Sequence, residues 1–445
     1  MDAELEQNHI ALLQHRAKNS GDTVLLKLPI LRGLEPCLEW NNITVAEFAA
    51  DVDRVAHFLM REIQARAIPP RSVVTLLYAD AKIQYQDLVY AIALARASYI
   101  PQMCSDMLTH PEIIFGLMER AGSKMILYDA ALEHLTATCP FPKVELNPIE
   151  SIESFSVVSG TTQLPAIEDL PCGSDVSFVF LTSGSTSGSP KVVPITQKVM
   201  SIFYKSQIGR WLDGKHDDTQ DVFLAPGNFV CHIPSMIQYL GCLLTRSCLV
   251  QPSRPRFSTE ELFNLVRVCG LNRFTTYGTF LAAYIQDARK DPAVLKLLQE
   301  MRTVSYYGVP ISVDNDDWCF KNGIPATMIP SLQGLTMSTI PGKPARFLRP
   351  EPGVSYRFDP ITDGAAQVDN PTLMTQLLEC VILADSPQIP APHLLAADGN
   401  FHTGDLFEKL PDGSYLFRGR DDDWIKSFEA DRTDAKFVLW NDLKV

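Results

Sequence analysis

Apolar residues follow alternating helical and strand-like spacing up to about residue 340. Thr44 and Glu47 form a capping box, and the apolar residues after them have the three- and four-residue spacing of a helix. Further helices are predicted at 88–97, at 111–121 and after a cap at Ser258, and strands at 73–78, 124–128, 176–181, 248–251, 273–277 and 302–307. Strands that alternate with helices predict an α/β fold with layered, mostly parallel sheets flanked by helices.

The pattern changes beyond about residue 340, where Gly, Pro and short alternating stretches dominate. Residues 408–417, interrupted by Pro411-Asp-Gly413, predict a β-hairpin. We therefore expect a β-rich subdomain over 340–420. Residues 140–174 are rich in Pro, Ser and Gly and are predicted to form a connecting loop.

Composition narrows the function classes. The 445 residues are 46% hydrophobic and carry a net charge of −13 without a basic stripe, which disfavours nucleic acid and anionic membranes as partners. The ten cysteines form no C-x-x-C pair, so zinc and dithiol redox sites have no support. The first 24 residues are polar, unlike a secretory signal. No apolar run approaches the roughly 20 residues that span a bilayer. We expect a cytoplasmic protein.

The segment from Thr182 to Lys191 has the chemistry of a phosphate-binding loop. It follows an apolar strand, is built of glycines and hydroxyl side chains, and ends in Pro190-Lys191. Glycines allow backbone N–H groups to approach an anion, and lysine adds a compact positive charge. The spacing is neither that of a Walker loop nor that of a dinucleotide fingerprint. A flexible Ser/Gly linker is the alternative, but a linker does not explain the preceding strand or the Pro-Lys ending.

Two further motifs lie near the C-terminus, His402-Thr-Gly-Asp-Leu406 and Phe417-Arg-Gly-Arg-Asp-Asp-Asp-Trp-Ile-Lys426. Taken singly, the first could be an ordinary Gly-Asp turn and the second a solvated charge run. The two motifs lie only 14 residues apart, counted from Leu406 to Arg420, and this proximity argues against both alternatives.

In this order the motifs resemble those of the adenylate-forming superfamily, which includes acyl-CoA synthetases, luciferases and adenylation domains of peptide synthetases. The loop is similar to T-S-G-[ST]-T-G-x-P-K with one extra residue, Ser187, and the last motif is similar to G-R-x-D-D-x-I-K. Residues 307–312 resemble G-G-A-P-L-S, and residues 229–232 resemble P-L-F-H. Residues 99–105, 348–358 and 400–407 look closest to the adenylation region of fungal peptide-synthetase-like carboxylic acid reductases of secondary metabolism.

The resemblance implies a large adenylation domain over 1–420, followed over 421–445 by a hinge and the start of a small C-terminal subdomain. The implied ATP- or AMP-binding residues are Thr182, Ser183, Gly184, Ser185, Thr186, Ser187, Gly188, Lys191, Tyr307, Gly308, Val309, Pro310, Gln333, Gly334, Leu335, Thr336, Asp405, Phe417 and Arg420. Those of the substrate pocket are Phe229, His232, Tyr306, Gly308 and Gly334. The implied catalytic residues are Lys191, Thr336 and Lys426, and Asp422 is the implied hinge.

The implied chemistry joins a small carboxylic acid to ATP, with Mg²⁺ bound through the phosphates, and then transfers the acyl group to a thiol. A phosphopantetheinyl carrier domain is the expected thiol partner. No acidic residue can be assigned to an α-ammonium group, so the acid is expected to be an aryl or other non-amino acid.

Two departures from the family pattern favour a protein that binds its ligand without turnover. Where the superfamily carries Y-G-x-T-E, this chain has Gln333-Gly-Leu-Thr-Met337, and methionine is a poor ligand for Mg²⁺. The chain also ends 19 residues after Lys426, before the segment that brings the catalytic lysine of the small subdomain, so we expect it to be truncated. The alternative is a nucleotide- or acyl-binding protein without turnover, and a third possibility is an ordinary acyl-CoA ligase.

Overall fold

The computed structural model describes residues 8–32, 37–79, 85–105, 108–152, 163–182, 190–202, 219–225, 233–329, 337–361, 377–421, 424–428 and 435–439. The chain divides into two compact units, Met1–Thr275 and Thr276–Val445. In the described residues no helix has the length and apolar character needed to cross a membrane.

The first unit alternates helices and strands. Its helices include α1 (His9–Ser20), α2 (Val45–Gln64), α3 (Tyr85–Arg96), α4 (Pro111–Ala121), α5 (Glu133–Thr136), α6 (Ile233–Thr245) and α7 (Thr259–Cys269). Its strands are β1 (Val24–Pro29), β2 (Trp40–Thr44), β3 (Val73–Tyr78), β4 (Ile100–Ser105), β5 (Ser123–Tyr128), β6 (Lys143–Glu145), β7 (Val176–Thr182), β8 (Lys191–Thr196), β9 (Val222–Leu224), β10 (Cys248–Val250) and β11 (Arg273–Tyr277), whose last two residues belong to the second unit.

Two largely parallel sheets organise the first unit. One has the order β6-β5-β3-β4-β7-β8, parallel except for β8, which runs antiparallel to β7. In the other, β11, β9, β10 and β1 are parallel and β2 is antiparallel at the edge. Helix α3 is buried along its length from Asp87 to Ala95, as expected of a helix that is apolar on all sides.

The second unit contains α8 (Gly278–Ala288), α9 (Pro292–Glu300) and α10 (Val313–Lys321). Its strands are β12 (Thr303–Tyr307), β13 (Ala326–Ile329), β14 (Met337–Thr339), β15 (Phe347–Pro350), β16 (Tyr356–Pro360), β17 (Leu377–Ile382), β18 (Phe401–Lys409), β19 (Tyr415–Arg420), β20 (Trp424–Phe428) and β21 (Ala435–Leu439). Strands β12 and β13 are parallel, whereas β14-β15-β19-β18-β17-β16 form an antiparallel sheet and β20 pairs with β21.

The structure confirms the predicted α/β class and the β-rich region that begins near residue 340. The capping box at Thr44 and Glu47 is present, and Ser258 caps α7. The predicted hairpin is longer at both ends than its pattern indicated, and the segment predicted as a loop contains β6. The sequence pattern did not predict α1, because polar residues, including Gln14, His15 and Lys18, interrupt its apolar spacing.

Candidate functional site

A β-hairpin holds both ends of the predicted phosphate-binding loop. Thr182, at the end of β7, is the register partner of Lys191, which begins β8. Phe178 and Phe180 of β7 are fully buried, so the hairpin is anchored in the first unit, while Lys191 is exposed. The predicted buried strand before the loop is present as β7, and residues 183–189 of the loop lie outside the described residues.

Strand β12 ends in the tyrosine pair predicted to line the site. Tyr306 and Tyr307 are both buried, and Tyr307 makes an edge-to-face contact with Tyr277 at a centroid distance of 5.0 Å. Burial raises the pKa of both phenols well above its usual value, so neither ionises near neutral pH. Gly308 follows with a φ of 80°, and Val309 is exposed, so the chain leaves the sheet at this point.

Gly278, at the start of α8, supports this segment and was not predicted from sequence. A Cβ atom at this position would lie 2.0 Å from the carbonyl oxygen of Val309. The start of α8 and the segment after β12 therefore approach so closely that only glycine fits. A glycine that directly follows a strand, as Gly278 follows Tyr277, is a signal for close backbone approach that could have identified it.

A bulge in β18 creates the turn that carries the predicted ribose-binding aspartate. Glu379 and Val381 of β17 pair with Leu406 and His402, so the one residue between them on β17 is opposite three on β18. The additional length lies at Thr403-Gly-Asp405. Bulges redirect side chains and are over-represented beside active sites.

Local hydrogen bonds fix this turn. The Thr403 hydroxyl donates to the carbonyl of Cys380 at 2.7 Å, and the backbone N–H of Asp405 donates to the Thr403 hydroxyl oxygen at 3.0 Å. Gly404 has a φ of 69°, a left-handed conformation that other residues adopt at a cost. The turn is therefore encoded by the residues of the Thr-Gly-Asp motif itself.

A second register shift brings Arg420 beside Asp405. The two residues are register partners in the β18–β19 pair, and the next recorded partners are Phe407 and Phe417. Gly419 of β19, with a φ of 96°, lies within the shifted segment. Phe417 packs on Phe407 at a centroid distance of 5.5 Å, so the structure places this predicted ATP-binding residue in the packing of the sheet.

The pairing of β18 with β19 places a hydrogen-bond acceptor, Asp405, beside a cation, Arg420. Asp405 is 5% exposed, whereas Arg420 is exposed and its Nη2 donates to the carbonyl of Thr403 at 3.3 Å. A carboxylate can accept hydrogen bonds from two vicinal hydroxyls, and a guanidinium suits a phosphate or hydroxyl oxygen. The arrangement matches the chemistry of a nucleotide's ribose and phosphate.

Glu379 joins this turn to a group of charges that sequence reasoning missed. One oxygen of its carboxylate accepts from the backbone N–H of Gly404 at 3.0 Å, and the other lies 2.9 Å from Nδ1 of His402. Nε2 of His402 lies 3.4 Å from Asp398. The hydrogen bond to Glu379 raises the pKa of His402, whereas hydrogen bonds, principally from Asn400, lower the pKa of Asp398 to about 2.

Several predicted residues lie outside the described ranges: Phe229, His232, Gln333, Gly334, Leu335, Thr336 and Asp422. Lys426 lies on β20, where its backbone pairs with that of Phe437. Met337 is 1% exposed on β14, and within the described residues no group of three His, Cys, Asp or Glu side chains could hold a metal.

Comparison with known proteins identifies the family of this chain. The model of the AMP-binding enzyme family matches residues 13–342. The AMP-binding domain-containing enzyme iboA of Amanita muscaria (strain Koide BX008) is 66% identical over 441 residues, which cover 98% of this chain and 84% of that protein.

Solved structures share the fold. The o-succinylbenzoate CoA synthetase of Bacillus subtilis, in complex with its acyl-adenylate intermediate, superposes with a TM-score of 0.69 at 16% identity, over 92% of this chain and 98% of that one. The same enzyme in complex with ATP and magnesium ion gives a TM-score of 0.66 at 16% identity, over 95% and 81% of the two chains. The predicted fold class is thereby confirmed.

Proposed function

Because the chain belongs to the family of AMP-binding enzymes, we propose that it uses ATP to activate a small carboxylic acid as an acyl-adenylate. The observation that carries the proposal is the bulged turn of β18, where the buried Asp405 is the register partner of Arg420. The carboxylate of Asp405 suits the ribose hydroxyls of a nucleotide, and the guanidinium of Arg420 suits a phosphate or hydroxyl oxygen.

In this proposal Asp405 accepts hydrogen bonds from the ribose hydroxyls and Arg420 contacts the ribose or a phosphate. Residues 182–191 bind the β- and γ-phosphates, with Lys191 as the fixed cation. The backbone of residues 307–310 lines the adenine. Support for these roles comes from the family membership and from the chemistry of each group.

The chemical difficulty is that a carboxylate must attack the α-phosphorus of a polyanion. The carboxylate oxygen bonds to phosphorus, the bond to the bridging oxygen breaks, and pyrophosphate leaves. The chain's contribution is to hold the two reactants in line and to offset the phosphate charge. Mg²⁺, when bound, shares that charge, and the buried Met337 supports its being held by phosphate oxygens rather than by a carboxylate at that position.

The proposed acid is an aryl or other non-amino acid, because no acidic residue can be assigned to an α-ammonium group. The proposed second step transfers the acyl group to a thiol, with a phosphopantetheinyl carrier as the partner and Asp422 as the hinge. The resemblance of residues 348–358 and 400–407 to peptide-synthetase-like carboxylic acid reductases supports this step.

A second candidate is a nucleotide- or acyl-binding protein that does not turn over. Met337 favours it, since this residue stands where the superfamily carries a metal-binding glutamate and is almost fully buried. A protein of this kind would bind ATP without forming pyrophosphate.

Isotope exchange between pyrophosphate and ATP separates the two candidates. The assay follows incorporation of labelled pyrophosphate into ATP with a panel of aryl, short-chain and amino acids, with and without Mg²⁺. Exchange that requires both Mg²⁺ and an acid supports adenylation, and the best acid identifies the substrate class. ATP binding without exchange for any acid contradicts it and favours the second candidate.

A further inference from the structure

We propose that Glu379 is a positioning residue for nucleotide recognition, and that its pairing with His402 makes recognition of the ribose depend on pH. The inference rests on the proposed function, since it assigns Asp405 to the ribose. It concerns a residue of β17 that touches the turn but is not expected to touch the nucleotide.

The contacts of Glu379 hold the turn at two points. One carboxylate oxygen accepts from the N–H of Gly404, the residue immediately before Asp405, at 3.0 Å. The other lies 2.9 Å from the ring of His402, where β18 departs from regular pairing. One side chain therefore bridges both sides of Thr403, and the direction of Asp405 depends on it.

The bulge explains why this support is needed. Between its pairs with Val381 and Glu379, the backbone of β18 has no recorded register partner on β17 over Thr403-Gly-Asp405. Thr403 supplies part of the replacement through its hydroxyl, and Glu379 supplies the acceptor for the Gly404 N–H. Groups that orient a binding residue in this way are needed to hold it in its productive geometry.

Charged side chains from the neighbouring elements lie near His402. Glu379 faces it from β17, Asp398 from the segment before β18, and Asp359 acts on it from β16. Arg357 of β16 is paired with Asp359 and lies 3.8 Å from Asp398, so it offsets part of the negative charge. The remaining acidic surroundings favour the imidazolium form of His402.

The direction of the pH effect follows from this arrangement. The pKa of His402 is raised above 6.5, chiefly by the hydrogen bond to Glu379, so the charged pair is complete below that pH. As the pH rises through the raised value, His402 loses its proton and the pair loses its attraction. Recognition of the ribose is therefore strongest in mildly acidic solution and weakens as the pH rises.

The test compares ATP with 2′,3′-dideoxy-ATP, which lacks both ribose hydroxyls. Calorimetry gives the two dissociation constants, and their ratio reports the ribose contacts alone, because phosphate ionisation affects both nucleotides equally. In Glu379→Ala we expect the preference for ATP to fall about tenfold, while the affinity for the dideoxy nucleotide changes less than about twofold.

Glu408→Gln is the matched control. Glu408 lies on β18, the strand of His402 and Asp405, and pairs with Arg418 across the β18–β19 hairpin, away from the turn. Its substitution removes one negative charge, as Glu379→Gln does. It should keep the wild-type preference and its pH profile. His402→Gln, which cannot titrate, should give a preference that does not vary between pH 6 and 8.5, and Glu379→Gln should flatten the profile without removing the acceptor.

The outcomes are distinguishable. Equal losses for both nucleotides in Glu379→Ala, or an unchanged preference, would overturn the role of Glu379. A pH profile that persists in His402→Gln would overturn the role of the pair. Wild-type protein without any preference for ATP would contradict the ribose role of Asp405, and thus this part of the proposed function together with the inference. If Glu379→Ala does not fold, the pH profiles of Glu379→Gln and His402→Gln test the proposal. Flat profiles support it, and a wild-type profile in either variant contradicts it.

Discussion

Replacing Gly278 by alanine would place a methyl group 2.0 Å from the carbonyl oxygen of Val309 and 3.2 Å from its carbonyl carbon. Cβ atoms in proteins essentially never approach another heavy atom closer than 3.0 Å, so the two segments must separate by about 1 Å. The obstructing atom belongs to the backbone and cannot rotate away as a side chain could. Either the start of α8 or the segment after β12 has to move.

The expected cost lies at the upper end of the range for overpacking, about 3 kcal/mol. Gly278 belongs to the second unit, Thr276–Val445, and for a unit of this size each kcal/mol lowers the melting temperature by about 2–4 °C. We therefore expect the melting temperature of this unit to fall by about 6–12 °C. The segment that moves is the one proposed to line the adenine, so the affinity for ATP should fall as well.

Gly116→Ala is the control for this experiment. Gly116 lies inside α4, and a Cβ there meets nothing within 4 Å. The alanine should stabilise the protein by about 0.5–1 kcal/mol, because glycine is unfavourable in a helix interior. Thermal melts followed by circular dichroism, together with ATP calorimetry, measure both variants. A Gly278→Ala protein that melts at or above the wild-type temperature would refute the close approach.

Three further substitutions test other parts of the structure. Met337→Glu should tighten Mg²⁺-dependent ATP binding if this position faces the metal, and calorimetry that finds an unchanged Mg²⁺ dependence would show that it does not. Asp221→Ala leaves the fully buried Arg273 without the carboxylate 3.1 Å away, so urea denaturation should show a loss of about 3–5 kcal/mol, and a loss below about 1 kcal/mol would contradict a structural role. Burial lowers the pKa of His9 to about 4, so stability should fall as the pH drops from about 6.5 towards 4, and His9→Gln should remove that part of the pH dependence in urea denaturation.

Local signals in the sequence were sufficient for several elements. The capping box of Thr44 and Glu47 requires residues only three apart, and it is present at the start of α2. The apolar run of β7 and the change to a Gly- and Ser-rich segment likewise predicted the strand that precedes the proposed phosphate-binding loop. The β-rich region was recognisable from its turn residues.

The features that sequence reasoning missed depend on contacts between distant residues. Glu379 reaches His402 and Gly404 only because β17 pairs with β18 in a register that contains a bulge, and the mostly apolar sequence of β17 does not reveal that register. Gly278 is required by the approach of Val309, which lies 31 positions further along the chain. Spacing rules describe neighbours along one element, whereas these contacts follow from the fold.

The most direct test of adenylate formation follows the oxygen atoms of the acid. The acid that gives the fastest pyrophosphate exchange is labelled with ¹⁸O in its carboxylate and incubated with ATP, Mg²⁺ and hydroxylamine, which attacks the acyl carbon. Mass spectrometry then locates the label. We expect AMP that carries one ¹⁸O atom, because the oxygen bridging carbon and phosphorus in an acyl-adenylate comes from the carboxylate. Label in inorganic phosphate, or AMP without label, would contradict the account.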